Sequence, residues 1–183
     1  MTTTTDASVI PTPESLDEAA RRLVEAARSG TPCAPVRDLI DATDVESAYA
    51  VQTRVTEQRL AAGATIVGRK IGLTSTAVQA QLGVDQPDFG VLFDDMAFPA
   101  GATIPAGTFL QPRVEAEVAF VLGADLADGE LDMDQVRAAV AEVRAALEIC
   151  DSRIAGWDIT FGDTVADNAS AGAYVLGDTS LTL

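Results

Sequence analysis

Glu115 and Glu117 stand two residues apart in "LQPRVEAEVAFVLG", residues 110–123. In an extended chain that spacing puts both carboxylates on one face, with Val114, Ala116, Val118 and Phe120 on the other. The run Phe120-Val121-Leu122 is apolar at every position, which predicts a strand covered on both sides. Two carboxylates side by side in such a strand are costly unless positive charge sits with them. Glu148, in "AALEICDSRI", adds a third at the start of another apolar stretch. The chain contains no histidine, so three carboxylates describe a hard-oxygen site for Mg²⁺ or Mn²⁺ rather than for zinc. The alternative is a solvated strand face whose charge Arg113 and Arg153 neutralise.

The missing histidine also removes Ser-His-Asp and Cys-His catalysis. Proton transfer is left to carboxylates, lysine, hydroxyls, tyrosine or thiols. Lys70, in "GRKIGLTS", lies in an apolar strand that runs into a glycine turn. A lysine buried there shifts its pKa readily and can act as an acid or base, whereas on an edge strand it is a surface charge. Asp88 belongs to "PDFG", a turn whose Pro and Gly need no catalytic explanation. Ser170 closes "DNAS", which reads as a helix cap. Cys150 shares a strand face with Glu148 and reads as a packed core thiol.

The elements that must hold these residues follow from punctuation and periodicity. Thr12-Pro13 opens a helix whose stripe (Leu16, Ala19, Ala20, Leu23, Val24, Ala27) ends near Gly30. "TDVE" at 43–46 has the capping-box pattern and opens a second helix through about Ala62, which Gly63 stops. Residues 65–71 read as a strand, followed by a short helix near 75–82. "GVDQPDFGVLFDDM" is turn-rich and reads as a loop carrying polar groups. Strands are expected at 109–123 and 146–154, separated by an amphipathic helix over about 132–145, with a last strand at 173–177. The pattern is α+β, with N-terminal helices and a largely β core.

Bulk properties narrow the partners. The 183 residues suit one folded unit over 12–183, helical over 12–63 and β-rich over 64–183, behind a Thr-rich segment 1–11 expected to be disordered. A net charge of -16 argues against nucleic acid, which needs a basic footprint, and against an anionic membrane surface. No apolar run approaches a membrane span and no secretory signal is visible, so a cytoplasmic location is expected. Two distant cysteines suggest free thiols.

Five segments in order, "GRKIGLTS", "QPDFGVLFDDM", "QPRVEAEVAFVL", "ALEICDSRI" and "DTVADNAS", resemble the 2-keto-4-pentenoate hydratases. These belong to the fumarylacetoacetate hydrolase superfamily, together with 4-oxalocrotonate decarboxylases. The resemblance covers roughly residues 35–178. It implies that Glu115, Glu117 and Glu148 hold the metal, that Lys70 and Asp88 form an acid–base pair, and that Ser170 lies in the substrate pocket. It implies a metal-dependent hydratase that adds water to 2-hydroxypenta-2,4-dienoate or a homologue in the breakdown of aromatic rings or steroids. Decarboxylation of the 4-oxalocrotonate type is the nearest rival. Family members continue past the position equivalent to Leu183 with strands that complete a mixed β-roll. An incomplete roll with an open edge is therefore expected here. It would favour a homo-oligomer, or a non-catalytic subunit that binds a related full-length chain.

Overall fold

Thr12 caps the first helix, α1 (Pro13–Ser29), in the computed structural model, which describes residues 10–127 and 129–183. Residues 1–9 of the segment expected to be disordered lie outside the described residues. The Thr12 side chain and Ser15 form a reciprocal capping box, Pro13 takes the first turn, and Gly30 ends the helix at φ 68°. Ala19, Ala20, Leu23 and Ala26 are its buried residues, so Ala26 replaces the expected Ala27 on the inner face. Helix α2 (Val45–Ala61) starts one residue later than expected. Its cap is Asp44, which accepts from the Ser47 amide at 3.0 Å, while Thr43 is held by Asp41. Aspartate caps as well as threonine, so the box pattern alone did not resolve the register.

The two helices pack with α5 (Phe161–Ala166), the Val36–Ile40 turn and Ile154 into one apolar cluster. Asp163, fully buried, ties it together. Its carboxylate accepts from the amides of Val36, Arg37 and Thr160 at 2.8, 3.1 and 2.9 Å and from the Arg37 guanidinium at 2.8 Å. Among the described residues no helix is long and apolar enough to cross a membrane.

Strand β1 (Ile66–Gly72) pairs antiparallel with β2 (Asp88–Phe93) as a two-stranded ribbon, with α3 (Thr76–Leu82) between them in sequence. The expected loop over 83–96 is thus half strand. Residues 88–93 alternate less clearly than an edge strand should, and only pairing with β1 reveals them. A four-stranded sheet has the order β3-β6-β5-β4, from β3 (Ala97–Phe98), β4 (Pro112–Leu122), β5 (Val140–Asp151) and β6 (Ala171–Leu181). Only β3 and β6 are parallel.

The helix expected over about 132–145 is shorter, α4 (Met133–Ala139). Residues 140–145 belong to β5, where Val143 faces Phe120 and Ala145 faces Val118 on β4. Helix propensity in this Ala/Glu/Arg-rich run is a weak preference, and pairing along the whole of β4 overrides it. The last strand is likewise longer than the expected 173–177. The coverage expected for β4 is also wrong. It is the outer strand of the sheet, and Val114, Val118 and Phe120 are 65%, 60% and 57% exposed. The mixed helix and strand content fits the α+β expectation, and among the described residues the strands do not close into a barrel.

Candidate functional site

The ribbon is built to seat one lysine and one aspartate. Lys70 lies opposite Gly90, and Gly72 lies opposite Asp88. A Cβ at Gly90 would come within 2.9 Å of the Lys70 stem, and one at Gly72 within 2.2 Å of Asp88 Oδ1. Both glycines are needed for the room they leave, which lets the ribbon bury the two charged side chains. Asp88 is only 3% exposed and opens β2 rather than sitting in a turn. Lys70 is the buried, not the surface, lysine: its Nζ donates to the Ala169 carbonyl at 2.8 Å and stands 3.4 Å from Glu148 Oε1.

The Ala169 carbonyl is aimed by unusual backbone. Asn168, Ala169 and Ser170 all have left-handed φ, at 55°, 50° and 53°. Such residues cost on the order of 1–3 kcal/mol each and persist only where their surroundings hold them. The Asn168 amide brackets Val91, accepting from its N–H at 2.7 Å and donating to its carbonyl at 2.9 Å. On the other side Arg153 pairs with Asp167 and donates to the carbonyls of Asp167 and Ala171. The "DNAS" segment therefore clamps the site, and its Asp167 also stands at the C-cap of α5, its amide donating to the Asp163 carbonyl at 3.0 Å. Arg153 is committed to this clamp and does not neutralise Glu115 or Glu117.

On the sheet, Glu115 of β4 faces Glu148 of β5 directly, and Arg113 faces Cys150. The carboxylates of Glu115 and Glu148 and the thiol of Cys150 offer ligand atoms all within 4.8 Å of one another. Glu117 shares their face, but its carboxylate is outside that group. Glu148 and Cys150 are buried, whereas Glu115 and Glu117 are exposed toward a cavity of about 580 Å³, contrary to the expectation of a covered strand. Lys70, Asp88, Glu115, Glu117, Cys150 and Ser170 line that cavity, and the buried Glu148 is the β5 partner of the lining Glu115. Its size is ordinary for a small-molecule site, roughly 300–1,000 Å³.

The electrostatics are short of positive charge. Burial raises the Asp88 and Glu148 carboxyls above their usual range, against the pull of Lys70, and Glu115 raises both further. Burial works to lower the Lys70 ammonium, but Glu148 and Asp88 outweigh it and leave it raised. The Cys150 thiol is pushed up to about 12 by burial and by the charge of Glu148. Among the described residues, three buried oxygens lack a hydrogen-bond partner: Asp88 Oδ1, Glu148 Oε1 and Ser170 Oγ. Unpartnered carboxylate oxygens beside a single lysine suit a hard cation that supplies the missing charge.

Two residues at the cavity went unremarked as site residues in the sequence. The Arg113 guanidinium stacks over Trp157 at 4.0 Å, and both line the cavity. The Trp157 indole N–H donates to the Gln111 carbonyl at 3.0 Å, and Trp157 has a left-handed φ of 57°. No sequence signal distinguishes these from an ordinary surface pair.

No protein-family model matches the chain. Individual relatives do. It is 54% identical over 171 residues to a 2-keto-4-pentenoate hydratase of Paraburkholderia xenovorans, covering 93% of this chain and 64% of the relative. It is 48% identical over 139 residues to a 2-hydroxypent-2,4-dienoate hydratase of Pseudomonas putida, covering 75% of this chain and 63% of that one. The chain thus spans somewhat less than two thirds of these relatives. Among solved structures it superposes on the 4-oxalocrotonate decarboxylase of Pseudomonas putida G7, complexed with magnesium and adipate, with a TM-score of 0.87 and 30% identity. That match covers 96% of this chain and 66% of the decarboxylase.

Proposed function

We propose that the chain, 54% identical to 2-keto-4-pentenoate hydratases over 64% of their length, acts as a member of that family and adds water to 2-hydroxypenta-2,4-dienoate or a homologue, giving a 4-hydroxy-2-oxo acid. The observation that carries this reading is the pair of buried carboxylate oxygens without hydrogen-bond partners, Glu148 Oε1, which stands 3.4 Å from Lys70 Nζ, and Asp88 Oδ1. Glu115, Glu117 and Glu148 would hold Mg²⁺ or Mn²⁺, which supplies positive charge where the substrate's C1 carboxylate and C2 oxygen bind.

The chain's own groups move the protons. Asp88 Oδ1 has no competing donor and a raised pKa, so it is suited to take the C2 hydroxyl proton. Lys70 Nζ enters protonated and is suited to deliver a proton to C5, leaving a 2-oxo-3-enoate. Water then adds its oxygen at C4 and its proton at C3. Ser170 Oγ, buried without a partner at the cavity wall, is a hydroxyl available to the bound acid. Arg113 offers the cavity a cation for a carboxylate at its mouth.

The similarity to a solved decarboxylase supports a second reading, loss of CO₂ from 4-oxalocrotonate, since both reactions develop negative charge on the same C2 oxygen. The higher identity to hydratases favours water addition. The experiment is loss of the dienoate's ultraviolet absorbance with Mg²⁺ and with EDTA, alongside CO₂ release from the dicarboxylate. Turnover unchanged by EDTA would sink the metal-dependent reading. CO₂ release without dienoate hydration would favour the rival.

A partner copy and a compartment belong to the same proposal. The exposed Val114, Val118 and Phe120 of β4 support self-association or pairing with a related subunit, which light scattering would read. Two free thiols, Cys33 and Cys150, support a reducing, cytoplasmic setting.

A further inference from the structure

Cys150 is not needed by the hydration chemistry, yet it faces the cluster that would hold the metal. We propose that its thiol gives this site a second donor set, so that Glu115, Glu148 and Cys150 take a thiophilic divalent cation such as Co²⁺, Zn²⁺ or Cd²⁺. The inference rests on the reading that these carboxylates form a metal site.

Position argues for it first. Residues 148 and 150 alternate onto one face of β5, and Glu115 and Arg113 oppose them across β4. The three ligand atoms already lie within 4.8 Å of one another. Zinc bonds of about 2.3 Å to sulfur and roughly 2.0–2.2 Å to oxygen put neighbouring ligand atoms about 3.6 Å apart in a tetrahedron. Closing that gap takes a shift of about 1 Å, and the exposed Glu115 side chain is free to make it.

The buried oxygen that supports the hard-cation reading also points to a missing ligand at this donor set. Glu148 is only 5% exposed, and its Oε1 is buried without a hydrogen-bond partner, with Lys70 Nζ 3.4 Å away. Cys150 is equally buried at 5% and opens on the cavity. A sulfur donor beside two carboxylates favours softer ions over Mg²⁺. Glu117, whose carboxylate lies outside the group, is then the donor that only the hard ion uses. Binding forms a metal–sulfur bond and releases the thiol proton to solvent, with no change of oxidation state.

The test titrates the full chain with Co²⁺ and reads the near-ultraviolet sulfur-to-cobalt charge-transfer band. Mg²⁺-induced thermal shift is measured in parallel. The band is expected in the native chain and in Cys33→Ala, and is lost in Cys150→Ala and Cys150→Ser. Cys150→Ala should weaken Co²⁺ by at least the ~10–100-fold that even outer-sphere losses cost a metal site. Its Mg²⁺ shift should persist, which also reports that the variant is folded. Glu115→Gln should weaken both ions. Co²⁺ binding without the band in the native chain overturns the thiol donor, and a retained Mg²⁺ shift then leaves the hydratase reading intact. A band without any Mg²⁺ shift supports the sulfur site while sinking the hard-oxygen one.

Discussion

Val36, Ile40, Val51 and Ile154 in the helical cluster are at most 1% exposed, whereas Val118 and Phe120 on the outer strand β4 are 60% and 57% exposed. Both sets are large apolar residues, and both segments carry the apolar pattern of a buried element. The cluster has three helices and a buried Asp163 closing over it, while β4 is paired along one edge only. Burial is therefore decided by whether a second layer exists, which a one-dimensional pattern does not report. The site sits on the seam between the two regions, where the buried end of β5 meets the ribbon. Lys70 and Glu148 lie on the packed side, and Glu115 and Glu117 on the open side.

The largest effect is expected at that seam. Lys70→Ala should lower dienoate turnover by about 10²–10⁴-fold, the usual range for a positioned acid or base, while Mg²⁺ still raises the melting temperature. Turnover within a few-fold of the native chain would return Lys70 to a packing role. Next comes the helical cluster. Ile40→Ala should cost about 2–5 kcal/mol in urea unfolding with an unchanged slope, because it leaves a cavity in close-packed surroundings. A cost well below that would show the cluster to be loosely packed.

Saturating metal should act on the seam rather than on either flank. At about 100 times its Kd, Mg²⁺ is expected to stabilise the chain by roughly 2.7 kcal/mol through mass action. Glu115→Gln should remove most of that gain. Identical melting temperatures in Mg²⁺ and EDTA would end the metal reading. The smallest effect belongs to the outer strand. Phe120→Ala should change monomer stability by less than about 0.5 kcal/mol, since the ring is already mostly in water. A loss as large as that of Ile40→Ala, growing with protein concentration, would show that a second copy covers β4.

Much of the frame was legible in the sequence because its signals are local. The Thr12-Pro13 start and Gly30 stop of α1 depend on neighbouring residues alone, and they agree with the structure. The β1 segment and the short α3 helix fall where expected, within a residue. What escaped was non-local. Residues 140–145 look helical until β4 lies beside them, and residues 88–93 look like a loop until β1 does. The site was legible in the same divided way. The spacing of Glu115 and Glu117 announced one shared face and that of Glu148 and Cys150 another, but only the pairing of β4 with β5 brought the two faces together.

Residue chemistry was settled by the sequence itself. With no histidine in the chain, any proton transfer is left to carboxylates, lysine, hydroxyls, tyrosine or thiols, and the charge of -16 argues against a nucleic-acid partner. The tertiary structure alone decided which charges are buried together. Gly72 and Gly90 leave the space that Lys70 and Asp88 fill, and the left-handed run Asn168–Ser170 turns a carbonyl onto the lysine. Those approaches join residues as much as 99 positions apart. A pKa or an unpartnered oxygen depends on distance in space and on excluded water, and neither is a property of any segment read alone.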